Sequence, residues 1–344
     1  MTSPGQHMAA EIAEQPQVWQ RILTDGAAAI AEVASKITDA APRFVLFVGR
    51  GSSDYAALYA KYLVEVTHGL PAGLVSPSSM TVYGTHPQLR DVLYVAVSQS
   101  GGSPDLVRSI EIARQQGALT LAVTNNPDSA LAAAAELHVD VLAGREQSVA
   151  ATKSYTAELL ALYLLFDRAR GGDGRHARPV PDLGARILDC DIDGIVQRYR
   201  FAQRLITTGR GYSYPTALEA ALKLMETCYV SAQAFSGADL MHGPLATVDP
   251  QVPVLAIVQE GLGRQAMLPV LDRLAERNAD VVTVGPGPVP EHVAGQITLP
   301  GGIPEELSPV LEILPLQQLA LRLAISRGGD PDKPRGLYKV TETL

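Results

Sequence analysis

Two stretches of this chain repeat each other at one fixed spacing. Gly49-Arg-Gly-Ser-Ser follows the apolar run Phe44–Val48, and Gly209-Arg-Gly-Tyr-Ser follows Leu205–Thr208, 160 residues later. The run Val92–Val97 has its counterpart in Val252–Val258 at the same spacing, and Gln99-Ser-Gly aligns with Gln259-Glu-Gly. Two motifs sharing one offset point to an internal duplication. Each run has the length of a strand, ends in turn residues and is followed by an amphipathic stretch. Strands alternating with helices predict a parallel sheet covered on both faces. The chain therefore reads as α/β, with two tandem doubly wound parallel-sheet domains related by duplication.

Along the chain, helical patterning at Ala9–Ile37 precedes the first strand, Phe44–Val48. A helix at Tyr55–Thr67, a strand at Ala72–Val75 and the strand Val92–Val97 follow, then helix Leu106–Gln116 and strand Leu119–Val123. A short helix at Ala130–Ala135, strand His138–Leu142 and a helix over Ser148–Arg170 complete the first half. Gly, Pro and charge crowd the next stretch, which reads as a linker. A helix over Leu183–Phe201 opens the second half, whose strands are expected at Leu205–Thr208, Val254–Val258, Val281–Val284 and Ile297–Leu299. The resulting division is an N-terminal helical segment 1–38, a first domain 39–170, a linker 171–183, a second domain 184–326 and a tail 327–344.

The chain has 344 residues, long enough for two full cores. A net charge of −8 and no Lys/Arg cluster argue against nucleic acid, and no apolar stretch has the length of a membrane span. The N-terminus lacks the apolar region of a signal peptide. Cys190 and Cys228 make neither a disulfide framework nor a metal site. Cys228, in an apolar helical context, reads as a small buried hydrophobe. A reducing cytoplasm and no metal are the expectation.

The strand Val92–Val97 ends in Ser98-Gln99-Ser100-Gly-Gly-Ser103-Pro-Asp105, after which a helix begins. Ligands of open parallel sheets bind where strands end and helices start, and the unpaired N–H groups of a helix N-terminus favour an anion. Ser98, Ser100 and Ser103 add hydroxyl donors without charge, which suits a phosphate monoester that must also be released. The structural alternative is a serine-rich turn with an N-cap. The second copy has Val258, Glu260 and Gly263 in this register. Glu260 would repel an anion, so only the first copy is expected to hold phosphate.

The helix that starts near Pro215 is apolar almost all round (Ala217, Leu218, Ala220, Ala221, Leu222, Leu224, Met225), the pattern of a buried helix. Glu219, Lys223 and Glu226 nevertheless align on one face of it. A wet-face ion pair would explain them; within apolar surroundings, a polar stripe that meets partners or a cavity explains them better.

Six ordered segments resemble the sugar isomerase (SIS) family: Phe47–Asp54, Ser98–Asp105, Val149-Ala-Ala-Thr-Lys-Ser154, Ala217–Glu226, His242-Gly-Pro-Leu-Ala246 and Asp332–Lys339. The similarity spans nearly the whole chain and extends to the isomerase portion of glucosamine-6-phosphate synthase and to SIS-type glucosamine-6-phosphate deaminases. The resemblance implies a double SIS fold, a hexosamine 6-phosphate substrate and no cofactor. It places Glu226 as the base at C2, with Lys223 near the developing enolate oxygen. It makes His242 the ring-opening acid/base, supplied by the partner of a homodimer, and Lys339 a tail lysine that contacts the open sugar. The substrate and its phosphate would be held by Gly51, Ser52, Ser53, Ser98, Gln99, Ser100, Ser103, Val149 and Glu219. On the residues alone a lone histidine such as His242 is more often structural and a tail lysine such as Lys339 is normally solvated surface; Lys153 reads as a structural ion partner and stays outside the catalytic set.

The synthases carry a glutaminase domain with a cysteine at residue two, where this chain has Thr2. The expectation is action on a ready-made amino sugar phosphate: glucosamine-6-phosphate deamination to fructose 6-phosphate and ammonia. Ser231-Ala-Gln233-Ala stands where relatives carry His-Ala-Glu-Ala, which keeps a second reaction open. In that reaction N-acetylglucosamine 6-phosphate loses its C3 hydroxyl by elimination. A sugar-phosphate sensor is the non-catalytic alternative, but a sensor has no use for Glu226, Lys223 and His242 together.

Overall fold

The computed structural model describes residues 3–339. Of the segments anticipated above, Thr2 and the last five residues of the tail lie outside them. In the first half α1 (Gln6–Arg21) and α2 (Ala27–Ala40) lead to β1 (Phe44–Val48), followed by α3 (Ser52–Leu63), β2 (Ala72–Leu74) and α4 (Pro77–Thr81). Then come β3 (Val92–Ser98), α5 (Pro104–Gln115), β4 (Leu119–Thr124), α6 (Ala130–Ala134), β5 (Leu137–Asp140) and α7 (Lys153–Ala169). The second half runs α8 (Val180–Leu188), α9 (Asp193–Tyr199), β6 (Arg204–Gly209), α10 (Ser213–Cys228), β7 (Ser231–Ser236) and α11 (Gly237–Met241). It closes with β8 (Pro253–Ile257), α12 (Leu262–Ala275), β9 (Asp280–Gly285), β10 (Gly295–Thr298) and α13 (Pro309–Ser326).

Both sheets are five-stranded and parallel, and their strand orders are the same word: β2-β1-β3-β4-β5 and β7-β6-β8-β9-β10. The duplication anticipated from the repeated motifs is thus a duplication of topology. Its glycines recur for one reason. A Cβ on Gly49 would lie 2.5 Å from the Ser53 carbonyl oxygen, and a Cβ on Gly209 2.5 Å from that of Ser213. Each helix turns back so closely over its strand end that only glycine fits.

Two compact units contain these sheets. One comprises Gln17–Glu146, Lys153–Arg178 and Tyr338–Lys339; the other comprises the described residues up to Pro16, Gln147–Thr152 and Pro179–Leu337. In the first, β3 is buried on both faces, as its unbroken apolar run requires. Tyr94 and Ala96 pack with Leu106 and Ile110 of α5, while on β1 the ring of Phe47 meets Phe166 of α7 edge-on at 5.9 Å. In the second, Val254 and Ala256 of β8 pack with Met267, Val270 and Leu271 of α12, and α10 lies against β6, β7 and α13. No helix among the described residues is long and apolar enough to cross a membrane.

Several elements depart from the expectation, among them the short helices α4 and α11, which were not anticipated. The helix anticipated over Ser148–Arg170 starts only at Lys153, because the buried Glu11 carboxylate accepts the N–H groups of Gln147 and Ser148 and holds them in a loop. The helix anticipated over Leu183–Phe201 is two, α8 and α9. The break falls at Asp189–Ile192, where the Asp191 carboxylate accepts the Asp193 N–H and competes with helical bonding. Helix α10, expected to be buried all round, is not, since Met225 is exposed. Strand β7 was not anticipated, although β2 shifted by the repeat spacing falls inside it; its polar Ser231 and Gln233 hide a strand pattern. Cys228 is buried, as expected, with its thiol near the Ala320 carbonyl.

Candidate active site

In the order β2-β1-β3-β4-β5 the connections leave β1 to one side and β3 to the other, which opens a crevice between the ends of those two strands. The first motif pair sits there. β1 and β3 run in parallel register up to Val48 and Ala96, so the Gly49–Ser53 loop and the Ser98–Ser103 loop emerge side by side. Gly101 has φ +62°, and a Cβ there would strike the Ser129 hydroxyl, which itself caps α6 by accepting from Ala132 N–H. The Ser98 hydroxyl accepts the Gly101 N–H at 3.1 Å and the Ser100 hydroxyl the Gly102 N–H at 3.3 Å. Ser103 is the N-cap residue of α5, and its side chain makes no cap bond. At the start of this twelve-residue helix Pro104 has no N–H, the Leu106 N–H is accepted by Asp105 Oδ1 at 2.9 Å and the Val107 N–H by the Ser103 carbonyl at 3.1 Å.

The same crevice holds a charge pair that sequence reasoning did not single out. Arg50 donates through Nε at 2.8 Å and Nη2 at 2.5 Å to one oxygen of Asp105. Asp105 is buried and Arg50 is 47% exposed, so the pair ties the two loops together and leaves guanidinium surface at the mouth. An arginine between two loop glycines and an aspartate in the first turn of the facing helix were the available signals. Of the neighbouring candidates, Gly51 is exposed with φ +55°, Ser52 is half-buried, and Ser53 is buried with its hydroxyl donating to Glu158 at 2.9 Å. Gln99 is half-buried beside them.

In the other unit α10 brings Glu219, Lys223 and Glu226 together, as their spacing anticipates. Lys223 Nζ lies 3.3 Å from Glu219 Oε1 and 2.6 Å from Glu226 Oε2. Exposure is graded along the row: 0% for the Glu219 side chain, 1% for Lys223 and 22% for Glu226. Glu226 is thus the end that an incoming molecule can reach. Burial by itself would lower the Lys223 pKa; the carboxylates of Glu219 and Glu226 outweigh it and hold the ammonium above the ordinary lysine value. The row therefore presents a carboxylate beside a cation that does not lose its proton at neutral pH.

The remaining candidates lie on other elements. His242 lies on an exposed turn directly after α11, with its N–H bonded to the Asp239 carbonyl. Its ring makes no hydrogen bond or ion pair among the described residues. Val149 is half-buried in the loop that Glu11 holds, and Lys153 is buried at the start of α7. Lys339 pairs with the fully buried carboxylate of Glu146 at 2.7 Å, which also accepts from the Ser154 hydroxyl. In the same C-terminal motif Asp332 is structural. Its two oxygens accept the N–H groups of His7 and Met8 at 2.8 Å and cap α1.

Comparison with known proteins bears directly on this arrangement. The family profile described as SIS domain matches residues 40–168 and 199–286, one stretch over each sheet. The chain belongs to the SIS domain family. Among curated SIS relatives, the glutamine–fructose-6-phosphate aminotransferase (isomerizing) of Gloeobacter violaceus is 35% identical over 312 residues, which cover 86% of this chain and 51% of the relative. The chain thus spans about half the length of that protein. A solved candidate phosphosugar isomerase from Silicibacter pomeroyi is 33% identical, with TM-score 0.87 over 94% of this chain and 99% of its own. The glucosamine-6-phosphate deaminase of Thermotoga maritima shares the fold, with TM-score 0.72 over 95% of this chain and all of its own, at 22% identity.

Proposed function

We propose that this SIS protein opens the ring of a hexosamine 6-phosphate and abstracts its C2 proton, acting on glucosamine 6-phosphate as a deaminase. The observation that carries the reading is the buried row on α10, a lysine clamped between two carboxylates with the accessible end at Glu226. A binding module has little use for two buried charges leading to an accessible carboxylate on one helix; an enzyme that must form an enolate next to a fixed cation does. In this reading Glu226 takes the C2 proton, Lys223 faces the enolate oxygen and Glu219 keeps Lys223 charged and aimed. His242 moves the ring-opening proton from a second copy of the chain, and Lys339 reaches the open sugar. The phosphate rests on Ser98, Gln99, Ser100 and Ser103 with the Gly51–Ser53 turn, and Val149 lines the sugar.

The chemistry balances without a cofactor. Loss of the C2 proton from the open aldehyde gives an enolamine, and reprotonation at C1 gives an iminium at C2. Water adds there, ammonia leaves and fructose 6-phosphate remains. The relative from Gloeobacter violaceus, by its name, aminates fructose 6-phosphate; releasing ammonia from glucosamine 6-phosphate is the reverse of adding it. The exposed Ser231 and Gln233 on β7, where relatives carry a histidine and a glutamate, weaken the preference for deamination and leave a second outcome for the same carbanion: expulsion of the C3 hydroxyl from an N-acetylated substrate.

The test is to supply glucosamine 6-phosphate and N-acetylglucosamine 6-phosphate in parallel, in D₂O. Deuterium at C2 and ammonia from the first substrate are expected. An ultraviolet-absorbing product from the second, with no ammonia from the first, would replace deamination by elimination. No exchange with either would leave a sugar-phosphate sensor.

A further inference from the structure

The second sheet has a switch point of its own, between β6 and β8, and α12 opens there as α5 does in the first sheet. Glu260, the counterpart of Ser100, was expected to repel anions from it. It is instead turned aside, accepting the Gly302 N–H at 2.8 Å. A different carboxylate occupies the place. Glu305, more than forty residues downstream of β8, accepts the Leu262 N–H through Oε2 and the Gly263 N–H through Oε1, both at 2.8 Å.

Two oxygens of one anion on two consecutive N–H groups at the start of a fourteen-residue helix is how such an end binds an oxyanion. The fit is close. A Cβ on Gly261 (φ +113°) would collide with Glu305 Oε2, and one on Gly263 would lie 2.6 Å from Oε1 and 3.2 Å from the Arg210 carbonyl in the loop after β6. The carboxylate is therefore seated in the crevice between the two loops, and the glycines make its room. Beside it Gln259, the counterpart of Gln99, is only 4% exposed, and its Oε1 has no hydrogen-bond partner among the described residues. Polar capacity remains there that intramolecular contacts do not use.

We propose that this crevice is the anion site of the second repeat, filled by the chain's own Glu305 carboxylate, and that Glu305 is the residue confining phosphate to the first repeat. A tethered carboxylate competes at a high local concentration, so free phosphate does not displace it; without it, the site accepts a phosphate group. The geometry of α12 and Glu305 carries this independently of what the first crevice binds.

Inorganic phosphate is the probe, followed by calorimetric titration and by the phosphate-dependent rise in Tm. The background is the Ser100→Ala/Ser103→Ala chain, which weakens the first crevice. Adding Glu305→Ala is expected to create one phosphate-binding event per chain, and Glu260→Ser on top of it to tighten that event at least threefold. Glu305→Gln, neutral but still filling the crevice, is expected to bind no more phosphate than the background. The proposal is overturned if the Glu305→Ala chain, with unchanged circular dichroism, binds no more phosphate than the background. It is equally overturned if the wild-type chain binds two phosphates.

Discussion

Single side chains here owe their behaviour to what surrounds them more than to their type. Glu312 on α13 is fully buried, and burial pushes its carboxyl up to about 7, against the opposing hydrogen bonds from Ser308, Ser213 and Thr216. The folded chain then holds that proton more tightly than the unfolded one, whose carboxyl titrates near 4.5. The associated stability is complete below about pH 4.5 and is lost as pH rises through about 7, a change on the order of 3 kcal/mol. Urea unfolding of the wild type should therefore show a midpoint that falls between about pH 5 and pH 8. Glu312→Gln should flatten that slope, and an unchanged slope would mean the carboxyl titrates normally. At the first crevice, Ser100→Ala or Ser103→Ala should each remove a hydrogen bond to a charged group worth about 1.5–3 kcal/mol. That corresponds to a KM raised roughly 10- to 150-fold with kcat little changed. Steady-state kinetics measures this, and equal activity on the unphosphorylated sugar would dismiss the crevice as a phosphate site. The serines were legible in the sequence because they follow a strand directly. Glu312 was not, because two of its three hydroxyl partners, Ser213 and Thr216, come from α10, 99 and 96 positions away in the chain.

At the scale of the element, α10 is where burial and charge have to be reconciled. Without its carboxylates Lys223 would meet only the burial that lowers its pKa, and without Lys223 the buried Glu219 carboxylate would lose the cation 3.3 Å away. Lys223→Met should therefore destabilise the fold by about 3–5 kcal/mol. Glu219→Gln added to it should recover part of the loss, because one buried carboxylate charge then disappears. The chemical-denaturation cycle of the four proteins reads the coupling directly, and a Lys223→Met chain as stable as wild type would show that the row is not a coupled unit. The stripe itself was legible, since residues four and three apart share a helix face. The start of α7 was misjudged because Glu11, far away in sequence, claims two N–H groups that local patterning assigns to a helix.

For the whole molecule, the prediction concerns assembly. If His242 serves the Glu226 of a second copy, His242→Ala and Glu226→Gln chains are each inactive alone. Co-assembled at random, they should restore about a quarter of wild-type activity, because half the dimers then contain one intact site. Mixed dimers verified by mass and still inactive would put His242 in its own subunit's site or outside the reaction. The duplication, the two parallel sheets, the crevice at the end of β3 and the polar row of α10 were determined by the sequence itself. The duplication is a repeat of local motifs, and the others depend on residues within a few positions of one another, where strand length, turn chemistry and helical period act directly. Only the tertiary structure decided that Arg50 closes on Asp105, that Asp332 caps α1 and that polar Ser231–Ser236 completes a sheet as β7. It also decided that Glu305 rather than Glu260 fills the second crevice. Those pairings join residues tens to hundreds of positions apart, and a carboxylate shows no local sign of which distant N–H groups will reach it when the chain folds.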